Sequence, residues 1–338
     1  MLKKINVAVI GCGLIGQRRA NVVAQDKFSQ LLYVTDVNAK VAESVAKEQG
    51  CSWSTDWKKV VRLKNLDVVI VSTPNHWLSP IASAALRYGK HVLIEKPMGK
   101  NLKDARKMHA FAKRYHRRLK VGFNHRYHPA IHKAYQLYKE DAIGEIINVR
   151  CQYGHGGRAG YEKEWRGNAA MAGGGELTDQ GVHLIDLIQW FCGKPSTVYA
   201  ALQTAFWPVS PSEDNGFALL QYKNGVIANF HSSWTQWKNL FRFEVFGKKG
   251  TLCINGLGGS YGVETLDVIK RKPEGGIPEI ISEKFEGPDL SWQKEWNDFR
   301  EGIVNGTSFY GNSEEGLTVM QTLQALYQSA TKKRNISL

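Results

Sequence analysis

Ile5-Asn6-Val7-Ala8-Val9-Ile10-Gly11-Cys12-Gly13-Leu14-Ile15-Gly16 is the stretch that decides how this chain is read. Its first half is a largely β-branched apolar run, as expected of a strand buried on both faces. Its second half is a complete GxGxxG, and Gln17 to Ala24 then reads as helix. Gly11 allows the tight turn, Gly13 lets the backbone approach a pyrophosphate, and Gly16 lets the helix pack on the strand. The free amides of the helix start supply the anion site. A second strand, Leu31 to Thr35, ends in Asp36, twenty residues past Gly16, where a carboxylate meets an adenosine ribose. A carboxylate repels a 2′-phosphate and accepts from a 2′-hydroxyl, so NAD is preferred over NADP, although Arg18, Arg19 and Lys40 lie near in sequence.

Upstream of this stretch the chain is basic, but the apolar run Val7 to Gly11 is too short for a signal peptide. No apolar run reaches the length of a membrane span. Five cysteines, odd in number and without a CxxC, argue against a disulfide framework or a zinc site and for reduced thiols in the cytoplasm. The formal net charge of +14 favours acidic partners such as phosphates. The basic residues are dispersed except at Lys113 to Lys120 and Lys332 to Arg334, so a dedicated nucleic-acid reader is not expected. A length of 338 residues suggests two domains.

Downstream, strand and helix alternate. Ala39 to Gly50 is helical, and Leu66 to Ser72 is a buried strand that ends in Thr73-Pro74-Asn75-His76, residues suited to line a cofactor crevice. Ser79 to Tyr88 is helical, and His91 to Ile94 is a strand that delivers Glu95, Lys96 and Pro97 at its carboxyl end, the ligand side of an open parallel sheet. A helix from Leu102 to about Tyr115 and a strand from Leu119 to Phe123 lead to Asn124-His125-Arg126-Tyr127-His128-Pro129. His128 and His132 are four apart, but without HExxH a capping or surface role outweighs a metal site.

From Glu145 the strands alternate polar and apolar residues: Ile146 to Tyr153, Val198 to Phe206, Gly216 to Tyr222, Val226 to Ser233, Phe241 to Phe246, Thr251 to Ile254 and Glu264 to Lys270. Lys223-Asn224-Gly225 marks a hairpin. Such a sheet has one packed face and one available for a second subunit, with Trp234, Trp237 and Phe241 assigned to that surface. Between the first two strands, Gly173-Gly174-Gly175 opens a helix carrying Asp179, His183 and Asp186 near one face. Two carboxylates and an imidazole there suit proton transfer. With a nicotinamide site they imply alcohol oxidation or carbonyl reduction, with His183 as acid/base, Lys96 on the substrate oxygen, Asp179 holding one of them and Asp186 orienting the imidazole. Just before this loop, Arg158, Lys163 and Arg166 suit a carboxylate or phosphate, and Tyr161 and Trp165 suit stacking on a sugar or base; a surface loop of internally paired charges is the alternative. Leu290 to Val304 is an amphipathic helix, and Asn312 to Glu315 starts a last helix with a capping box.

GCGLIG, STPNHW, EKPM, GFNHRY and GGGELTDQGVHLID occur in an order and spacing that resembles the glucose–fructose oxidoreductase / inositol dehydrogenase / rhizopine-catabolism (Gfo/Idh/MocA) family over nearly the whole chain. The resemblance implies an α/β fold: a Rossmann domain of doubly wound parallel sheet over residues 1–124, then an α+β domain with a large open, mostly antiparallel sheet over 125–311. The helix over 312–338 is expected to pack back on the first domain. It implies a homodimer or homotetramer built through the open sheet and a catalytic set of Lys96, Asp179 and His183. Cofactor contacts would fall on Gly11, Gly13, Leu14, Ile15, Gly16, Asp36, Thr73 to His76, Glu95, Lys96 and Asn124. Substrate contacts are expected from Lys96, Arg158, Trp165, Arg166, Asp179 and His183. The substrate expected is a sugar, a polyol or a nucleotide-linked sugar, with a non-catalytic NAD-binding sensor or scaffold as the alternative of another class.

Overall fold

The computed structural model describes residues 4–338, which divide into two compact units. One takes in the chain up to Phe123 together with Trp292–Met320; the other holds Asn124–Ser291 and Gln321–Leu338. In the first, β1 (Ile5–Ile10), α1 (Leu14–Gln25), β2 (Ser29–Thr35), α2 (Ala39–Gln49), β3 (Ser52–Ser54), α3 (Trp57–Val60), β4 (Val68–Val71), α4 (Asn75–Arg87), β5 (His91–Glu95), α5 (Leu102–Arg114) and β6 (Leu119–Gly122) alternate along the chain. The six strands form one parallel sheet in the order β3-β2-β1-β4-β5-β6. Reversal of strand order at β1 and β4 makes their carboxyl ends the switch-point crevice of a doubly wound sheet. β4 is buried at every position, which is why it reads as an unbroken apolar run.

The second unit holds α6 (Pro129–Lys139), β7 (Ile146–Gly154), α7 (Ala169–Ala172), α8 (Val182–Cys192), β8 (Thr197–Gln203), β9 (Asn215–Gln221), β10 (Ile227–Ser233), β11 (Leu240–Gly247), β12 (Gly250–Asn255), β13 (Glu264–Lys270) and β14 (Glu279–Phe285). After α9 (Ser291–Asn305) and α10 (Ser313–Lys332), a short β15 (Ile336–Ser337) adds to it. Its nine-stranded sheet runs β14-β13-β12-β11-β7-β10-β9-β8-β15, antiparallel throughout except where β7 and β10 run parallel. Gly225 takes φ +87° in the β9–β10 hairpin, as its Asn-Gly signal requires.

Several expectations need correction. α4 begins at Asn75 and not at Ser79: Pro74 caps it, and Pro80 is accommodated within it. Trp234 and Phe241 are buried core residues and only Trp237, 66% exposed, lies on the surface. β14 escaped notice because EIISEKF is exposed or half-buried along its whole length and carries no one-sided pattern. Most of α9, placed by sequence in the second domain, clusters with the first unit. There Trp296 donates to Asp26 at 3.0 Å, Arg300 pairs with Asp26 at 3.0 Å, and Glu295 meets the buried Arg19 at 2.5 Å. The last helix has the expected capping box: Asn312 accepts from the Glu314 and Glu315 amides while Glu315 accepts from the Asn312 amide. Its first turns belong to the first unit, and from Gln321 it belongs to the second.

Candidate active site

The cofactor half begins where β1 ends. A Cβ on Gly11, which has φ +95°, would strike the Ser72 carbonyl at 2.6 Å, and one on Gly16 would collide with the Gly11 carbonyl. A side chain on Gly13 would meet only open space. The loop is thus packed tightly on one side and bare on the other, which is the cradle a dinucleotide pyrophosphate needs. Leu14 and Ile15 open α1 in this loop, Leu14 exposed. Asp36 is fixed beside it: Oδ2 accepts from the Cys12 amide at 2.8 Å and Oδ1 from the Asn38 amide at 2.9 Å. Burial, and then Asp36, push the Cys12 thiol up to about 12, so it stays protonated and inert.

Thr73 follows β4, Pro74 caps α4, and Asn75 and His76 form its first turn, all next to the Ser72 backbone that supports Gly11. At the end of β5, Glu95 accepts from Arg19 at 2.8 Å, and Arg19 also pairs with the fully buried Glu295. Glu95 is therefore anchored from beneath by a buried guanidinium. Lys96 follows it, half-buried, joined to Pro97 by a cis peptide.

The residues expected to handle the proton, Asp179 and His183, lie in the second unit. Leu177–Gly181 is a π-helical turn that becomes α8, so Asp179 in the turn and His183 at the start of α8 are separated by a change of helical phase. The entry to this turn is set by Glu213, whose Oε1 accepts the Gly175 and Leu177 amides at 3.0 Å each and the Tyr327 hydroxyl at 2.7 Å. Burial raises the Glu213 carboxyl above its usual range. Asp179 lies 3.4 Å from Arg166, whose guanidinium rests on the Trp165 ring. His183 is stacked on His125, ring centroids 3.8 Å apart. Tyr153 meets both rings edge-on, and its phenol is held well above its ordinary range by burial beside Tyr261, Glu176 and Asp179.

Sequence reasoning set Asp186 behind the imidazole; in the structure both its oxygens accept from Arg126, at 2.9 and 2.6 Å, in a buried bidentate pair that the sequence did not announce. Arg158, expected at the substrate, is 65% exposed and pairs with Glu164 at 2.7 Å, as the surface-loop alternative requires. Tyr161 is buried against Trp234 and has no face for a ligand to stack on. Asn124 accepts from His125 and donates to Ser291 within the second unit. His128 faces Glu264 at 3.0 Å and His132 faces the Arg126 carbonyl at 3.3 Å. The pattern reading missed His125, Tyr153, Glu176 and Glu213. The segment NHRY was legible only as the exit of a strand, and nothing in its spacing connects it to residue 183, almost sixty positions on.

Residues 5–123 match the profile of an oxidoreductase family with an NAD-binding Rossmann fold, and residues 131–253 match that of the GFO/IDH/MocA C-terminal domain. Levoglucosan dehydrogenase of Pseudarthrobacter phenanthrenivorans is 26% identical, over 75% of this chain and 74% of its own. The 1,5-anhydro-D-fructose reductase of Ensifer adhaerens is 29% identical, over 79% and 82%. A solved structure of levoglucosan dehydrogenase in complex with NADH and levoglucosan superimposes with a TM-score of 0.90 at 23% identity, covering 99% of both chains.

Proposed function

Since this chain belongs to the Gfo/Idh/MocA family of NAD-binding oxidoreductases, we propose that it is an NAD-dependent dehydrogenase or reductase of a secondary alcohol or ketone on a free sugar or polyol. The observation that carries the reading is the presence, in one chain, of a glycine loop bonded to Asp36 and of a π-helical turn carrying Asp179 that runs into the helix carrying His183. Relatives matching about three quarters of the chain are named for reactions on sugar rings.

The residues divide the work as follows. Gly11 to Gly16 and Asp36 hold the dinucleotide, and Thr73, Pro74, Asn75, His76, Glu95 and Asn124 border it. NAD, when bound, takes hydride from carbon in oxidation and returns it in reduction. Lys96 donates to the substrate oxygen and stabilises negative charge developing there. His183 takes the hydroxyl proton in oxidation and supplies it in reduction, its imidazole being the side chain that titrates nearest neutrality. Asp179, tethered to Arg166, orients the substrate hydroxyl beside His183, and Trp165 gives the sugar an apolar wall.

A free sugar is favoured over a nucleotide-linked one because Arg158 is engaged by Glu164 on an exposed loop and Arg166 by Asp179, so neither stands ready for a diphosphate. We further propose a homo-oligomer through the second sheet, whose outer face exposes Tyr199, Phe217, Leu219 and Ile227. No helix among the described residues is long and apolar enough to cross a membrane.

The test is NADH absorbance with purified protein, NAD and two sets of candidates: free sugars and polyols, levoglucosan and inositol included, and nucleotide-linked sugars. NADH formed with the free set supports the reading. Turnover of the nucleotide-linked set alone refutes the substrate class, and NADH binding without turnover of either set favours a sensor.

A further inference from the structure

The turn Asn124–Tyr127 touches α8 at three successive positions of one face. His125 lies flat on His183, Arg126 holds Asp186, and the Arg126 guanidinium sits over the Trp190 ring at 5.4 Å. Residues 183, 186 and 190 recur at helical spacing, so these contacts fix the rotation of α8 about its axis. That rotation is otherwise a free variable, because the π-helical turn just before α8 shifts the helical phase.

We propose that His125 is a positioning residue for His183: it sets the plane of the His183 imidazole and limits the stacked pair to one proton. The inference rests on the reading of His183 as the acid/base. His125 is itself closely confined. Its Nδ1 faces Asn124 Oδ1 at 3.3 Å, while the Asn124 amide nitrogen donates to Ser291 at 3.1 Å, so the Asn124 side chain is held against the ring. Tyr153, Phe241 and His128 meet the ring edge-on or tilted at 5.3, 5.9 and 5.5 Å. Both stacked rings are about 5% exposed. A face-to-face pair 24° from parallel has little room to turn, and its lone-pair and N–H directions are therefore set in advance of substrate.

Around the pair, Asp186 is paired with Arg126 and Asp179 with Arg166, Glu264 faces His128, and Glu176, Tyr153 and Tyr261 complete the ionisable surroundings. Two imidazolium ions 3.8 Å apart repel strongly even at an effective dielectric of about 20, enough to push the second protonation about three pH units below the first. The pair therefore exchanges a single proton across the neutral range and titrates as a unit.

The experiment combines histidine-selective NMR of the full-length protein, without substrate, with kinetics of His125→Ala and His125→Phe. In the native protein both histidine rings are expected to follow the same two protonation steps, about three pH units apart, and in His125→Phe His183 is expected to show a single simple step. With NAD and the best free sugar of the panel above, His125→Ala is expected to lower kcat about 10- to 100-fold with NADH affinity unchanged, and His125→Phe to recover most of the loss by restoring the flat contact. Independent titration of the two rings within one pH unit overturns the coupling. Equal kcat in the Ala and Phe variants overturns the role of the ring plane. His183→Ala with native turnover refutes the acid/base reading and this inference with it, whereas an inactive His183→Ala beside a fully active His125→Ala refutes this inference alone.

Discussion

Replacing Asp36 by serine is expected to reverse the dinucleotide preference. The native carboxylate is held by the Cys12 and Asn38 amides at 2.8 and 2.9 Å, one on each oxygen, which leaves a lone pair on each for the ribose hydroxyls. A hydrogen bond to a charged acceptor contributes about 1.5–3 kcal/mol, so its loss raises the Kd for NADH about 10- to 150-fold. For NADPH the same change removes a repulsion. A unit charge about 4 Å from the carboxylate costs about 2 kcal/mol at an effective dielectric of about 40, and a phosphate carries close to two charges. NADPH binding should therefore tighten about 30-fold or more, and the ratio of the two constants should move by about 300-fold or more. The assay is fluorescence titration with NADH and NADPH at low and high salt, the NADPH gain shrinking at high salt because Asp36 is only half-buried. A ratio that moves by less than about threefold would refute the placement of Asp36 at the ribose and with it the physical basis given for NAD preference.

Lys96→Met and His183→Ala should each lower kcat by about 10²- to 10⁴-fold while leaving NADH affinity within about threefold, measured by NADH absorbance and fluorescence; weakened NADH binding in either variant would assign the residue to the cofactor instead. Arg126→Met leaves Asp186 buried without its counter-charge, both side chains being at most 2% exposed, and should cost about 3–5 kcal/mol in denaturant unfolding; a loss below about 1 kcal/mol would mean the pair contributes little. His91 has its imidazole pushed down to about 4 by burial, with Arg117 and Arg118 adding to the effect, and its Nδ1 accepts the Arg118 amide. The unfolded chain therefore binds a proton that the folded one resists, so the contribution of His91 is complete above about pH 6.5 and is lost as pH falls toward 4. Thermal melts should fall across that window in the native protein and fall less in His91→Gln; parallel pH curves for the two would refute the assignment.

The dinucleotide half was legible because its determinants are local. Gly11, Gly13 and Gly16 are required by one turn and one close approach, and β1 and β4 announce themselves as largely apolar runs because parallel strands covered on both faces leave little room for polar side chains. The proton-transfer half was legible only in part. Asp179 and His183 stand out as costly groups on an otherwise apolar helix, but the π-helical turn between them has no pattern signal of its own. Arg158 could not be placed from sequence for the opposite reason: an arginine in a glycine-rich loop looks the same whether it awaits a ligand or pairs with a nearby glutamate, as it does with Glu164.

The sequence by itself determined most of the strand–helix alternation of the first unit, β3, α3 and α9 apart, together with the glycine loop with its aspartate, the hairpin at Gly225 and the capping box at Asn312. In each case the deciding interaction spans a few residues, or one face of one element, and residue type at that spacing is enough to specify it. Only the tertiary structure decided that Asp186 belongs to Arg126, that Glu213 and Tyr327 shape the turn bearing Asp179, that α9 packs mainly with the first unit, and that His125 covers His183. These pairings join residues dozens to hundreds of positions apart. Periodicity reports that a side chain is buried, but which partner satisfies its charge or its ring is settled only when the elements carrying them are packed together.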